Sequence, residues 1–311
     1  MKIVITGALG HIGSFVIREL PKKIPGLDIV MIDNMSTQRY ASLFNLPDDA
    51  SYRFIEADVL DTDLVPLVDG ADIVLHLAAI TNATASFSNK EEVERVNFNA
   101  TVRVAESCVK TGASLIHISS TSVYGTQNDV VDEFCKPEEL KPQSPYAETK
   151  LREEEYLINL VEKAGLSSVI CRFGTICGVS PGMRFHTAIN KFCWQAVLGQ
   201  PLTIWRTALH QKRPYLDLNE ALAAFYFIIE NELFDGHIYN VLTANFTVDE
   251  ITSFIKPLVP ELTIEFVDSE IMNQLSYEVL NDRFKNKGFK FQGNIQSAIE
   301  ATISMIRAVG E

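Results

Sequence analysis

Tyr146 and Lys150 stand four residues apart in Pro145-Tyr146-Ala147-Glu148-Thr149-Lys150. On a helix this spacing puts a phenol and an ammonium one turn apart on the same face, where both can meet one ligand. A free tyrosine ionises near pH ~10, so a tyrosine serving as a base near neutrality needs positive charge beside it. Lys150 supplies that charge, although the pair taken alone reads equally well as two surface residues. Upstream, Ser119-Ser120-Thr121-Ser122-Val123-Tyr124-Gly125 follows an apolar run. Ser120 could there hydrogen-bond a reacting hydroxyl, whereas an isolated Ser/Thr cluster reads as a cap or turn.

A second set of residues suits a phosphate. Thr6-Gly7-Ala8-Leu9-Gly10-His11-Ile12-Gly13 follows one apolar run and opens a helical pattern. Glycines at these places allow a tight turn, close backbone approach to a dinucleotide pyrophosphate, and close packing of helix on strand. The spacing is Gly-x-x-Gly-x-x-Gly rather than the commoner Gly-x-Gly-x-x-Gly, and alone it is also compatible with an ordinary glycine-rich turn. Asp33 lies twenty residues after Gly13 at the end of the second apolar run. A carboxylate there accepts from adenosine ribose hydroxyls and repels a 2′-phosphate, which favours NAD over NADP. Asp58 ends the third run, placed to meet an adenine.

The elements that must position these groups follow from the apolar pattern. Short runs recur at Ile3 to Ile5, Ile29 to Ile32, Tyr52 to Ile55, Ile73 to Leu77, Leu115 to Ile118 and Val169 to Cys171. Most are separated by segments long enough for helices, and their two-sided apolarity suits a parallel sheet covered on both faces. The spacing predicts helices over about His11 to Leu20, Glu91 to Lys110, Pro145 to Ala164 and Arg184 to Leu198, each closed by a proline or glycine. The fold class is α/β: a Rossmann-type, doubly wound parallel sheet with a smaller, irregular α/β substrate-binding lobe. Residues 1–173 and about 207–238 are assigned to the cofactor domain, and about 174–206 and 239–311 to the lobe, with short strands near Leu202 to Trp205 and Ile238 to Val241.

Composition narrows the function. With 311 residues, 47% of them apolar and 22% charged, the chain is an ordinary packed protein of about two domains or one large one. Its 27 basic and 40 acidic residues give a net charge of -13, which argues against nucleic-acid partners but not against a small anion in a local pocket. The five cysteines are odd in number, and neither they nor the six histidines show metal-ligand spacing. No metal is expected. The longest apolar run, Ala221 to Ile229, is too short to cross a membrane. With strand-forming residues starting at the first positions, a cytoplasmic, reducing location is expected.

With these residues assembled, the sequence resembles the extended short-chain dehydrogenase/reductase superfamily, specifically its NAD-dependent sugar-nucleotide epimerase/dehydratase family. The resemblance runs along nearly the whole chain and in family order. It is carried by the Gly7, Gly10, Gly13 turn, Asp33-Asn34, Asp58-Val59, His76-Leu77-Ala78-Ala79, Asn97, Ser120 before Val-Tyr-Gly, Tyr146 with Lys150, and Tyr239-Asn240-Val241. It implies NAD held by Gly7, Gly10, His11, Ile12, Gly13, Asp33, Asn34, Ser36, Asp58, Val59, Leu77, Ala78, Ala79, Asn97, Tyr146, Lys150 and Phe173. It implies a nucleotide sugar as substrate, met by Thr81, Thr121, Thr175, Arg184, Arg206 and Arg213, and a homodimer built on the helices beginning near Glu91 and Pro145.

The implied chemistry has Tyr146, as phenolate, taking a proton from a sugar hydroxyl, usually at C4, as hydride passes to NAD; Ser120 orients the hydroxyl. The positions after Ser120 are Thr121 and Ser122, where the family's dehydratases and decarboxylases carry acidic residues, so the pattern is similar to the 4-epimerases. Thr175 stands where many members have an asparagine that bonds the substrate diphosphate, and Ser180 to Phe185 is unusual. These departures keep a 4-dehydrogenase or 4-keto reductase open as the alternative, with a non-catalytic NAD-sensing protein as a more remote one.

Overall fold

The computed structural model describes residues 1–125, 130–268 and 276–308. Seven strands form one sheet: β1 (Lys2–Thr6), β2 (Leu27–Asp33), β3 (Ala50–Glu56), β4 (Ile73–His76), β5 (Ser114–Ser120), then, after the short β6 (Val130–Val131), β7 (Ser168–Phe173) and, further along the chain, Asp235–Val241. The order is Asp235–Val241, β7, β5, β4, β1, β2, β3, and every neighbouring pair is parallel. This is the expected doubly wound fold. The order reverses beside β1, so the crevice where such sheets take ligands opens at the carboxyl ends of β1 and β4.

Helix α1 (His11–Glu19) follows β1, and a single turn, α2 (Val65–Val68), precedes β4. A continuous helical stretch runs from α3 (Lys90–Val93) through a π-turn at Glu94–Phe98 into α4 (Asn99–Thr111), ending at Gly112 with φ +78. Helix α5 spans Pro145–Ala164, as the spacing predicts. Its start is fixed by Pro145 at the first turn and by the Ser144 hydroxyl accepting from Ala147 N at 3.2 Å; Gly165, at φ +68, ends it. The sheet is sandwiched between two apolar clusters, one around Ile5, Ile29, Cys171 and Phe225, the other around Val4, Val74, Val104 and Leu157.

The remaining chain builds a smaller lobe from β8 (Thr175–Cys177), α6 (Ala188–Val197), β9 (Leu202–Trp205), β10 (Lys212–Asp217), β12 (Ala244–Thr247), α8 (Val248–Ile255), β13 (Ile264–Val267) and α10 (Ile295–Arg307), with its own core around Ile189, Cys193, Ile251 and Ile299. Helix α7 (Leu218–Glu230) returns to the large sheet before its last strand, β11 (Asp235–Val241), and β14 (Glu278–Val279) and α9 (Asp282–Asn286) lie between β13 and α10.

Three expectations need correction. The strand at Ile238 to Val241 belongs to the large sheet, where it pairs with Ile170 to Phe173, rather than to the lobe. Lys212 to Asp217 joins β8 and β12 in the lobe's three-stranded sheet, although it falls within the segment assigned to the cofactor domain. Helix α6 begins at Ala188 rather than near Arg184, because residues 184–187 are drawn into a cleft: the Arg184 side chain reaches Thr81, and Asn190 Nδ2 donates to Arg184 O at 3.0 Å. Residues 269–275 and 309–311 of the expected lobe lie outside the described residues. No helix among the described residues is long and apolar enough to cross a membrane.

Candidate active site

The glycine turn is set by backbone contacts. Gly7 has φ +65, and a Cβ there would lie 2.6 Å from Ala78 N; a Cβ at Gly13 would lie 2.6 Å from the carbonyl oxygens of both Gly7 and Ala8. The turn is thus pressed onto the end of β4, and the start of α1 onto the turn. Asp33 is fixed across it, one carboxylate oxygen accepting from Leu9 N at 3.1 Å and the other from Met35 N at 3.0 Å. Asn34 Nδ2 donates to Asp58 Oδ2 at 2.9 Å, and Asn34 Oδ1 accepts from Ser36 N at 3.1 Å. Gly7, Gly10, Asp33, Asn34, Ser36, Asp58, Val59, Leu77, Ala78 and Ala79 line one groove of about 140 Å³.

Other residues named from the sequence stand behind this wall. Asn97, in the π-turn, clasps both backbone polar groups of Ile80, accepting from its N at 2.7 Å and donating to its O at 2.8 Å. It therefore shapes the wall beside Ala79. The His11 side chain points toward the lobe, its Nε2 2.9 Å from Gly178 O, and burial, with Arg184 nearby, pushes its pKa down to about 3. A neutral imidazole in that place joins the two lobes and presents no charge to a ligand.

Beside the groove lies a cleft of about 690 Å³ between the carboxyl edge of the sheet and the lobe. Ile12, Thr81, Ser120, Thr121, Tyr146, Phe173, Thr175, Arg184 and Arg213 line it together. Ser120 Oγ accepts from Ser122 N at 3.2 Å and from Ser122 Oγ at 2.9 Å, which aims it from the end of β5. Tyr146 N donates to Ser86 Oγ at 3.3 Å, tying the start of α5 to the loop after β4. Lys150 is buried one turn below, its Nζ donating to Glu153 Oε2 at 2.8 Å. Thr121 Oγ1 donates to Phe173 O at 3.2 Å, leaving it as cleft wall more than as a free hydroxyl.

The cationic side of the cleft comes from the lobe. Arg184 donates to Thr81 Oγ1, and its buried Nε has no partner among the described residues. Burial lowers its pKa, a trend opposed by Tyr146. Arg213, whose Nη2 donates to Gln211 Oε1 at 3.3 Å, also lines the cleft. Arg206 is not brought there: its side chain is 65% exposed, 3.7 Å from Asp268, with its guanidinium over the Phe266 ring. No Asp or Glu among the described residues lines the cleft.

The sequence matches the model of the NAD dependent epimerase/dehydratase family over residues 3–241. The chain belongs to that family. Relatives include a trifunctional UDP-glucose 4,6-dehydratase/UDP-4-keto-6-deoxy-D-glucose 3,5-epimerase/UDP-4-keto-L-rhamnose-reductase of Arabidopsis thaliana, 30% identical over 97% of this chain and 46% of that protein. An uncharacterized UDP-glucose epimerase of Bacillus subtilis is 30% identical over 78% of this chain and 76% of its own. The chain spans about half the length of the trifunctional relatives it matches. Among solved structures, MoeE5 in complex with UDP-glucuronic acid and NAD superposes with a TM-score of 0.85 at 26% identity, covering 99% of this chain and all of that one. A mutant UDP-glucuronic acid 4-epimerase from Bacillus cereus, also with NAD bound, gives 0.90 at 25% identity, again covering 99% and 100%.

NAD is the cofactor of this epimerase/dehydratase family, and the groove fits it. The space that Cβ atoms at Gly7 and Gly13 would need is already taken by backbone, so the turn packs tightly with no side chain at its glycines and leads a pyrophosphate to the start of α1 at His11, and the Asp33 carboxylate is held rigidly at the end of β2. Sequence reasoning missed Arg39, which lines the same groove with its Nη1 3.6 Å from where a Gly10 Cβ would be. It also missed His186, Lys191 and Trp205 in the cleft and Glu153 below Lys150. Arg39, His186, Lys191 and Trp205 have no spacing signal, and Glu153 has only that of a helical surface pair with Lys150; the fold assembles them. Among the described residues no cluster of His, Cys, Asp or Glu could hold a metal.

Proposed function

We propose that this member of the family is a 4-epimerase of UDP-sugars, working through a transient 4-keto sugar. The observation that carries the reading is the combination of Ser120 and Tyr146 on one wall of a cleft that no carboxylate lines among the described residues. Dehydration and decarboxylation need an acid or base besides the tyrosine. Epimerisation needs only one group to remove and return a proton at O4 and a cleft roomy enough for the keto sugar to turn over. UDP is favoured because relatives and neighbours carry UDP-sugars in their names.

In this reading Ser120, aimed by Ser122, holds the C4 hydroxyl against the Tyr146 oxygen, and Tyr146 takes its proton. Lys150, held cationic by Glu153, keeps positive charge under the phenol. Arg213 and Arg184 face the same space and would bind diphosphate or sugar oxygens as planar forks. Bound NAD supplies a reversible acceptor for the hydrogen on C4. Assembly as a homodimer through the Lys90–Thr111 stretch and α5 belongs to the same proposal.

The test is to identify the dinucleotide released on denaturation and to follow UDP-, dTDP-, GDP- and CDP-sugars with the native protein by NMR. Interconversion of a C4 pair without net NADH is the expected result. Accumulated NADH or a released keto sugar would move the assignment to a dehydrogenase or reductase.

A further inference from the structure

Helix α5 carries two adjacent buried glutamates, and only one has a purely structural partner. Glu154 is bound by Arg172 through two bonds of 2.9 and 2.7 Å and accepts from Ser119 Oγ at 2.5 Å. Its charge is matched by an arginine that belongs to the sheet. Glu153, fully buried, accepts through one oxygen from Lys150 Nζ at 2.8 Å, His117 Nε2 lies 3.0 Å from the same oxygen, and the other oxygen has no partner among the described residues. Behind it, His117 on β5 and His76 on β4 lie with ring centroids 5.9 Å apart, and His76 Nδ1 is 2.7 Å from Thr6 Oγ1 at the end of β1.

We propose that Glu153 is a positioning residue that anchors Lys150 and meters how much of its positive charge reaches the Tyr146 hydroxyl. The charged groups facing this spot are few. From α5 come Tyr146, Glu153 and Glu154; from β7 Arg172, already paired with Glu154; from the lobe Arg184, which interacts with Tyr146 from across the cleft. His117 from β5 and His76 from β4 are neutral, because burial lowers the pKa of both. Burial disfavours the Glu153 carboxylate, but Lys150 and His117 hold its pKa down to about 2, so it remains an anion throughout the working range. Lys150 and Glu153 therefore form a pair of no net charge beneath the base. A lysine without such a partner would present its whole charge to the phenol. Arg184, which interacts with Tyr146 from across the cleft and has no carboxylate partner among the described residues lining it, then brings the base a positive charge whose effect depends on what occupies the cleft.

The inference rests on Tyr146 being the base, as proposed above, and its test does not need turnover. The ionisation of Tyr146 is isolated as the difference in phenolate absorbance between the protein and its Tyr146→Phe variant during a pH titration, with and without NAD. In Glu153→Gln the removal of a negative charge favours the phenolate, so Tyr146 ionises at lower pH, by about one unit for charges about two helical turns apart in a partly buried site. Glu153→Asp keeps the charge and stays near the parent. If Glu153→Gln fails to fold, Lys150→Met/Glu153→Gln, which removes both buried charges together, must ionise Tyr146 at lower pH than Lys150→Met alone. A titration that moves while no sugar is turned over sinks the epimerase reading and leaves this one standing. Sugars that turn over with a Glu153→Gln titration superimposable on the parent's overturn it, since a merely structural glutamate would lower activity without moving the ionisation.

Discussion

The cofactor groove and the substrate cleft lie side by side but are made differently. The groove has a main-chain floor, the Gly7 turn packed against Leu77 and Ala78 with Gly13 pressed behind it, and a few fixed side chains such as Asp33 and Asp58 at its rim. The cleft is side chains gathered from α5, β5, the 184–187 segment, β9 and β10. Main-chain sites tolerate almost no added atom, while side-chain sites change one contact at a time. Substitutions should therefore act on the two in different ways, all-or-none in the groove and graded in the cleft.

The largest effect is expected where the two meet. Tyr146→Phe should lower kcat by about 10² to 10⁴-fold while the purified protein still carries NAD, measured by single-turnover assay and cofactor release. Loss of NAD along with activity would mean that the tyrosine belongs to the groove more than to the chemistry. Next, Gly13→Ala places a methyl 2.6 Å from two carbonyl oxygens, and overpacking of this kind costs about 1–3 kcal/mol. Calorimetry should find NAD binding weakened together with the melting temperature; normal binding in a protein of parental stability would contradict the main-chain account.

Smaller and graded changes belong to the cleft. Arg213→Ala should raise KM about tenfold through loss of a charged hydrogen bond, whereas Arg206→Ala, on an exposed side chain, should leave KM within about twofold. Equal effects from both would relocate the diphosphate. The smallest expected change is in stability with pH. His11 and His76 are buried and held down to about 3, so the folded protein binds fewer protons than the unfolded chain below the ordinary histidine value of about 6.5. Their contribution is fully present above that value and is lost as pH falls toward about 3. The melting temperature should decline from about pH 7 to about pH 5, and less steeply in His76→Asn; parallel slopes would reject the assignment.

The same contrast explains what the sequence revealed. Gly7, Gly10, Gly13 and Asp33 were legible because a main-chain turn imposes residue types at fixed spacing, and α5 was legible to the residue because Ser144, Pro145 and Gly165 act locally. The start of α6 was not, since Arg184 is pulled away from helical geometry by Thr81, more than a hundred residues earlier in the chain. The strand at Ile238 to Val241 is too short for its pattern to say which sheet it joins. Arg206 and Arg213 flank one loop and look alike in sequence; only the turn of the chain after Trp205 leaves the first outside. Glu153 has the spacing of any helical surface pair with Lys150, and its burial is decided by His117 on a strand thirty-six residues away.

One seam crosses both regions. His11 Nε2 meets Gly178 O, Ser180 Oγ donates to His11 O, Gly182 N donates to Ser14 Oγ, and a Cβ at Gly182 would overlap Leu9 O. For anyone redesigning specificity, this makes residues 178–184 a poor cassette to exchange by themselves. A loop transplanted from another enzyme would have to arrive with its own counterparts of Leu9, His11 and Ser14, or the graft would be rejected at the dinucleotide turn before any new sugar was tried.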